Sequence, residues 1–471
     1  MGVVAGGMIG ERLKAVRGSG GRPRLLYVAR HIPYVPSYGG VTRSYYQLRA
    51  AAEIADVTLL GAEVSLPCAH IEAIRPFCQD IQLVPPGRPR SSPLPSASAR
   101  PLPRPRARVL DVAHNVTHVD PFSRTAFDRP AIQQAVRDLL RATSFDAVFV
   151  DYTEIAMVLR GVVRAWGGPS IAGLMDVLSV LEWQRQQATR REMKRRRPSL
   201  SDWQVVHELR SIERDILRSF TRTVTVSAVD AAHLRRIAAG ARIDVAPNGV
   251  DVAYFDPVAS WPCDPATAAR AAETLIFTGQ LAYRPNVDAL RFFLNDIWPV
   301  IRSRRPRTRF WIVGATPTPE VQAMADRDDV HLFASVDDVR PYLAGSAVAV
   351  VPLRMGSGTR LKILEALAAE RPVVSTTLGA EGLDLKPGRD LLLADTAMAF
   401  ADAVVALLER PDDARELADH GRDTVRRLYS WDVVMARFQS ILARAMEPHG
   451  AGPAGCDRAR GSDAAIGGGV A

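Results

Sequence analysis

Short unbroken apolar runs alternate along this chain with longer stretches in which apolar positions return every third or fourth residue. The runs read as strands buried on both faces, and the longer stretches as helices lying on them. In chain order, LLYVA from Leu25 to Ala29, DVTLLGAEV, the segment Ala147 to Val150, SIAGLMD ending at Asp176, and TVTVS from Thr223 to Ser227 predict strands. Helices are expected from Thr42, across AIQQAVRDLLRA, and from Leu181 to Arg222 with a break near Pro198. Such alternation is what a parallel sheet requires, because each strand needs a crossing element to return in the same direction.

Pro247, Asn248 and Gly249 then supply turn chemistry at a joint. Beyond it the pattern starts afresh with TLIFTGQ, a helix around Asp288 to Phe293, RFWIVGA, VHLFASV, VAVVPLR, a helix, PVVSTT, LLLA and a helix from Met398 to Glu409. After YSWD comes one more helix, Val433 to Ala445. Two consecutive doubly wound α/β units follow, each Rossmann-like. They should face a central cleft, because ligands of such sheets sit at the carboxyl ends of the strands. The expected divisions are a flexible leader over 1–21, a first domain over 22–245, a second over 246–430, a closing helix over 431–447 and a disordered tail over 448–471. The Pro, Arg and Ser-rich segment Gly87 to Val109 cannot build a core and is expected to be a mobile surface excursion.

Composition excludes a fibrous or disordered chain, since 47% hydrophobic and 24% charged residues are ordinary globular proportions. No run approaches the roughly eighteen apolar residues of a membrane span. The start, MGVVAGGMIGERLKAVRG, lacks the basic-then-apolar order of a secretion signal. Cys68, Cys78, Cys263 and Cys456 match neither a metal knuckle nor a disulfide framework, so a cytoplasmic setting is expected. A net charge of +9 favours anionic partners without choosing among nucleotides, nucleic acid and the inner membrane face. The run RQQATRREMKRRRP, Arg185 to Pro198, sets many cations against the single acid Glu192. It is either a solvated face or, over 185–197, a dock for an anionic membrane that would bring the chain to a lipid-linked acceptor. Trp183 and Trp203 flank it as interface anchors or as core. Nucleic acid is not expected, because the run lacks interleaved aromatics.

The chemistry concentrates in VVPLRMGSGTRLKILEALAAERPVVST, Val350 to Thr376. Gly356 and Gly358 allow close ligand approach just before a helix whose first N–H groups are free, which suits a phosphate, and Arg360 and Lys362 add positive charge there. The alternative is a tight turn capped by Ser357 or Thr359. In the helix, Leu361, Leu364 and Ala368 share one face, and Glu365 lies about 40° from Leu361 at the edge of that stripe. A buried carboxylate needs a polar partner. A sugar diol would serve, since an ionised carboxylate only accepts hydrogen bonds; an ion pair with an arginine is the structural alternative.

That stretch, with VAPNGVDVAYF, FTGQLAYRPNVDALRFF, SVDDVRPYLAGSAVAVVPLR and YSWD, resembles the family-4 glycosyltransferases of the GT-B fold, particularly those of bacterial exopolysaccharide systems. The matches run in the family's order from about Asp244 to Asp432, and the first half fits more loosely. The resemblance implies retaining transfer of a sugar from a nucleotide-diphosphate donor to an acceptor hydroxyl, with no cofactor and no metal. It also implies that the closing helix crosses back onto the first domain. In that frame Glu365 holds the ribose hydroxyls, and Gly356, Ser357, Gly358, Thr359 and Leu361 surround the donor. Gly279, Gln280 and Val336 complete the nucleotide side. Gly39 and Gly40 match the loop near the donor phosphates and acceptor, while Asp151 and Asp176 are expected in the cleft.

The departures are specific. Ser357 stands where the family has its first glutamate, Gln280 where it has an arginine, Pro285 or Asn286 where it has a lysine, and Leu178 where a histidine is common. Arg360 and Lys362 are therefore expected to replace the missing cations as catalytic groups, and no catalytic base is assigned. His31, His114 and His118 are spare candidates for which a loop or packing role is the plainer reading. A non-catalytic GT-B subunit that binds nucleotide sugar or a partner enzyme is the alternative function. A nucleotide-sugar epimerase is a further one, although its expected catalytic carboxylates and histidine have no place in the pattern.

Overall fold

The first sheet is built from β1 (Arg24–Ala29), β2 (Asp56–Ala62), β3 (Asp80–Val84), β4 (Ala147–Asp151), β5 (Ser170–Leu174), β6 (Arg222–Thr225) and β7 (Ile243–Val245). The second is built from β8 (Thr274–Thr278), β9 (Arg309–Gly314), β10 (Val330–Ala334), β11 (Val348–Val351), β12 (Val373–Ser375) and β13 (Leu392–Leu393). These come from a computed structural model that describes residues 21–35, 39–62, 68–84, 129–192, 198–256, 272–356 and 358–447. The expected leader, the Pro/Arg-rich excursion, the tail, Ser357, His114, His118 and 193–197 of the basic run lie outside the described residues.

The sheets have the spatial orders β3-β2-β1-β4-β5-β6-β7 and β10-β9-β8-β11-β12-β13, and every pair is parallel. Central strands such as β4, AVFVD, and β8, TLIFT, are buried at every position because helices cover both faces, which is why they read as continuous apolar runs. Order reverses between β1 and β4 in one sheet and between β8 and β11 in the other. The loops diverging there open a crevice at the strands' carboxyl ends.

Several elements depart from the expected pattern. β3 is a half-exposed edge strand whose polar residues hide it, and β7 is only three residues long. β5 ends at Leu174 rather than Asp176, since its pairing with the neighbouring strands stops there. The helices Thr153–Trp166, Ala228–Ile237 and Pro411–Tyr429 were not marked by the pattern. In the last of these, Gly421 sits mid-helix where glycine normally costs stability. A Cβ there would come within 2.6 Å of Leu367 Cδ2 and 2.7 Å of Asp390 O, so close packing demands it.

One core fills the second domain, and two others lie on the two faces of the first sheet. The helix Trp431–Met446 leaves the second domain and inserts Met435, Phe438, Ile441 and Leu442 into the first sheet's core. Phe438 meets Phe149 edge-on at 5.1 Å, and Gln439 Nε2 donates to Glu53 at 2.6 Å. At the joint, Arg43 Nη1 donates to Pro247 O at 2.8 Å and to Asn248 Oδ1 at 3.0 Å, and Tyr46 stacks on Trp431 at 4.2 Å. The GT-B architecture with a crossover helix is thus present, and the chain crosses between the domains twice along one side.

Candidate active-site cleft

A cleft of 730 Å³ lies between the two sheets' carboxyl ends. On the first-domain wall stand Arg30 and His31 after β1, Gly40, Tyr152 and Thr153 after β4, and Asp176 after β5. On the second are Gly279, Gln280 and Asn286 after β8, Thr316 after β9, Val336 after β10, and Gly356, Gly358 to Lys362 and Glu365 after β11. All but Gly39, Asp151 and Ser357 of the sequence-predicted site residues line this space. Gly39 opens the helix Gly39–Ile54 beside it, Ser357 is undescribed, and Leu361 joins the wall at the start of the helix Leu361–Ala368.

Asp151 corrects the expectation. Its carboxylate points into the core, where Ser44 Oγ, Tyr27 Oη at 3.3 Å and the Tyr152 backbone N–H at 3.1 Å donate to it. It belongs to a buried network running through Ser44 toward Arg43 and the joint, not to the cleft wall.

The loop before the helix Leu361–Ala368 is held by both domains. Gly356 N–H donates to Gln184 Oε1 at 2.9 Å, and Thr359 Oγ1 donates to Val226 O at 3.2 Å. Gly358 has φ +75°, and a Cβ on it would approach Asp176 Oδ1 and Met175 O to 3.3 Å. The loop therefore passes close to the segment that follows β5. Arg360 is only 8% exposed and its Nη1 donates to Gly358 O at 2.6 Å, so the guanidinium braces the loop at the cleft wall.

Lys362 and Glu365, one turn apart, face the cleft half-buried. Lys362 Nζ donates to Asn286 Oδ1 at 2.8 Å and lies 3.8 Å from the centre of the Phe277 ring. Burial pushes its pKa down to about 7, against the pull of Glu365. Burial likewise raises Glu365 to about 6, against Lys362. The Glu365 carboxylate makes no ion pair with an arginine and no hydrogen bond among the described residues, which removes the structural alternative entertained for it there.

Gln280 offers Oε1 to Thr316 Oγ1 at 2.9 Å. Gly314, at the end of β9, carries a further constraint, since a Cβ there would stand 1.7 Å from Gly279 O. Arg30, paired with Glu154 at 2.9 Å, is a cleft cation that sequence reasoning passed over. Thr316, Gly314 and Gln184 were also missed as site residues, and Asn286 was marked only as one of two residues at the family's lysine position, since no motif marks a neutral residue whose partner is far away in the chain. His31 lies on the wall, edge-on to Tyr152 at 6.1 Å. Among the described residues no group of three His, Cys, Asp or Glu is placed to hold a metal ion, and no helix is long and apolar enough to cross a membrane.

Within the basic run, Arg185 pairs with buried Glu182, and Arg190 pairs with Asp202 at 3.3 Å while lying 5.0 Å from the Trp183 ring centre. Trp183 packs on half-exposed Trp203 at 4.8 Å.

The architecture and the cleft define a two-domain GT-B protein. Residues 272–410 match the family model described as glycosyl transferases group 1. An uncharacterized 44.6 kDa protein in the cps region of Klebsiella pneumoniae is 24% identical over 176 residues, 36% of this chain and 45% of that protein. The MMP alpha-(1->4)-mannosyltransferase of Mycolicibacterium hassiacum is 30% identical over 125 residues, 25% of this chain and 30% of that enzyme. Both matches thus span less than half of the relative's length. Among solved structures, sucrose-phosphate synthase from Thermosynechococcus elongatus superposes with a TM-score of 0.62 at 17% identity, over 90% of this chain and 99% of that one. At that identity the likeness speaks to the fold alone.

Proposed function

We propose that the chain is a glycosyltransferase moving a sugar from a nucleotide-diphosphate donor to an acceptor hydroxyl, retaining and without a bound metal, in polysaccharide or glycoconjugate assembly. The observation that carries this reading is Glu365, a half-buried carboxylate on the cleft wall beside a glycine loop, with no hydrogen bond among the described residues. A ribose diol supplies the donors it lacks. The diphosphate then lies toward Gly279, the loop 356–360 and Lys362, and the acceptor approaches from the first domain past Gly40 and Asp176. The family match over 272–410 supports putting the donor on the second domain, and the cps-region and mannosyltransferase relatives support a role in polysaccharide chemistry.

In the reaction, the bond from the anomeric carbon to the diphosphate oxygen breaks while the acceptor oxygen bonds that carbon on the same face. The acceptor's proton passes to the departing phosphate. Negative charge gathers on the diphosphate, and fixed cations and loop N–H groups there lower the barrier. Lys362 acts from the wall, and Arg360 acts through the loop it braces. The basic run over 185–197 is proposed to dock an anionic membrane carrying a lipid-linked acceptor.

Calorimetry and thermal shift against UDP, GDP, ADP, TDP and their sugar conjugates, with and without magnesium, test the donor site. One nucleotide is expected to bind without metal, adding about 2.7 kcal/mol of stability at roughly 100 times its Kd. Glu365→Ala should weaken it by about tenfold or more. No binding by any nucleotide, or binding indifferent to Glu365, would falsify the reading. Gln280, standing in for an arginine, favours a second reading as a non-catalytic nucleotide-sugar-binding subunit. Donor that binds but is neither hydrolysed nor transferred would select it.

A further inference from the structure

Of the sixty basic residues in this chain, only Lys14, Lys194, Lys362 and Lys386 are lysines. A chain that otherwise uses arginine keeps a lysine on the cleft wall, and the two differ in chemistry. An ammonium is compact, presents three donors and can lose its proton, whereas a guanidinium is a broad planar fork that stays charged.

The surroundings of Lys362 are built for the compact group. Gly279 has φ +148°, and a Cβ on it would stand 2.8 Å from Nζ, so the space between β8 and the helix Leu361–Ala368 admits little more than the ammonium. Phe277 offers its ring face and Asn286 an amide carbonyl. Asn286 is 5% exposed, and its orientation is set by its second bond, from Nδ2 to Gln280 O at 2.8 Å. With the amide nitrogen committed there, Oδ1 has to point at Nζ. The charged groups facing Nζ are Glu365 on its own helix and Arg360 at the helix start, while β8 contributes the Phe277 ring and the helix Arg284–Phe292 the neutral amide.

Resting on the donor-site reading above, we propose that Asn286 is a positioning residue: its carbonyl holds the Lys362 ammonium against the Phe277 ring so that the remaining N–H bonds face the donor diphosphate. Asn286 touches neither sugar nor phosphate in this scheme and acts only through Lys362.

The test uses the full-length chain, with inorganic pyrophosphate as the calorimetric probe and amine acylation of Lys362 followed by peptide mapping. The other three lysines serve as internal references. Asn286→Ala should weaken pyrophosphate by about tenfold, the loss of one hydrogen bond to a charged group, and should speed Lys362 acylation near neutral pH. Asn286→Asp should slow acylation and move its midpoint up by about one pH unit or more, because a carboxylate favours the ammonium. Opposite directions in the two variants are the signature of positioning, since a loosened fold would speed labelling in both. Pyrophosphate bound equally by wild type and Asn286→Ala, or labelling shifted the same way in both variants, overturns the inference and leaves the donor site standing. Wild-type protein that does not bind pyrophosphate overturns the donor-site reading and the inference with it.

Discussion

At the scale of single residues, Asp151 shows how a strand-end carboxylate can be structural. Burial raises its pKa to about 6, against the hydrogen bond from Ser44 and the charge of Arg43. Because this folded pKa lies above the roughly 3.9 of an unfolded aspartate, the linked stability is fully present below about pH 4 and is lost as pH rises through about 6. Asp151→Asn should flatten that dependence, and Asp151→Ala should cost about 1–3 kcal/mol for each donor left stranded, both read from urea unfolding at several pH values. Arg360 shows a charge legible in the sequence that the structure sets on the cleft wall, where its Nη1 also donates to the Gly358 carbonyl and braces the loop. Asn286 shows the reverse, a neutral residue at or beside the position where the family resemblance expects a lysine, receiving the ammonium of a lysine 76 residues away.

At the scale of the element, the helix Leu361–Ala368 sets Lys362 and Glu365 three residues apart and hence on one side. Desolvation drives the lysine down to about 7 and the glutamate up to about 6, with each partly opposing the other's shift. A diphosphate needs the ammonium and a ribose diol needs the carboxylate. Donor affinity is therefore expected to be bell-shaped in pH, falling below about 6 as Glu365 protonates and above about 7 as Lys362 deprotonates. Calorimetry across pH checks this. Glu365→Gln should remove the acid limb, and Lys362→Arg should remove the alkaline limb at reduced affinity, because the fork does not fit beside Gly279. Limbs that survive both substitutions would refute the assignment. The side of the helix on which Glu365 falls followed from its periodicity alone. What occupies the space beyond it did not, because that depends on how β8 and the loop after β9 come alongside.

At the scale of the whole molecule, the helix Trp431–Met446 ties the end of the second domain into the core of the first. Phe438, 1% exposed and packed on Phe149, is its central anchor. Phe438→Ala is expected to cost about 3–5 kcal/mol, seen as a lowered unfolding midpoint that begins in the first domain by hydrogen exchange. A protection loss confined to the helix itself would contradict that coupling. The same scale separates what was readable from what was not. The two α/β units, the joint at Pro247 to Gly249 and the glycine loop were determined by sequence alone, because buried parallel strands must be continuous apolar runs and sharp turns must use residues that tolerate them. Only the tertiary structure decided that Asp151 faces inward, that Gly314 must yield to Gly279 O, that Gln184 and Val226 grip the loop from the opposite domain, and that Lys362 meets Asn286. Periodicity reports which face of an element is buried. The partner on that face is set by loops and sheet order, which bring together residues that share no local pattern.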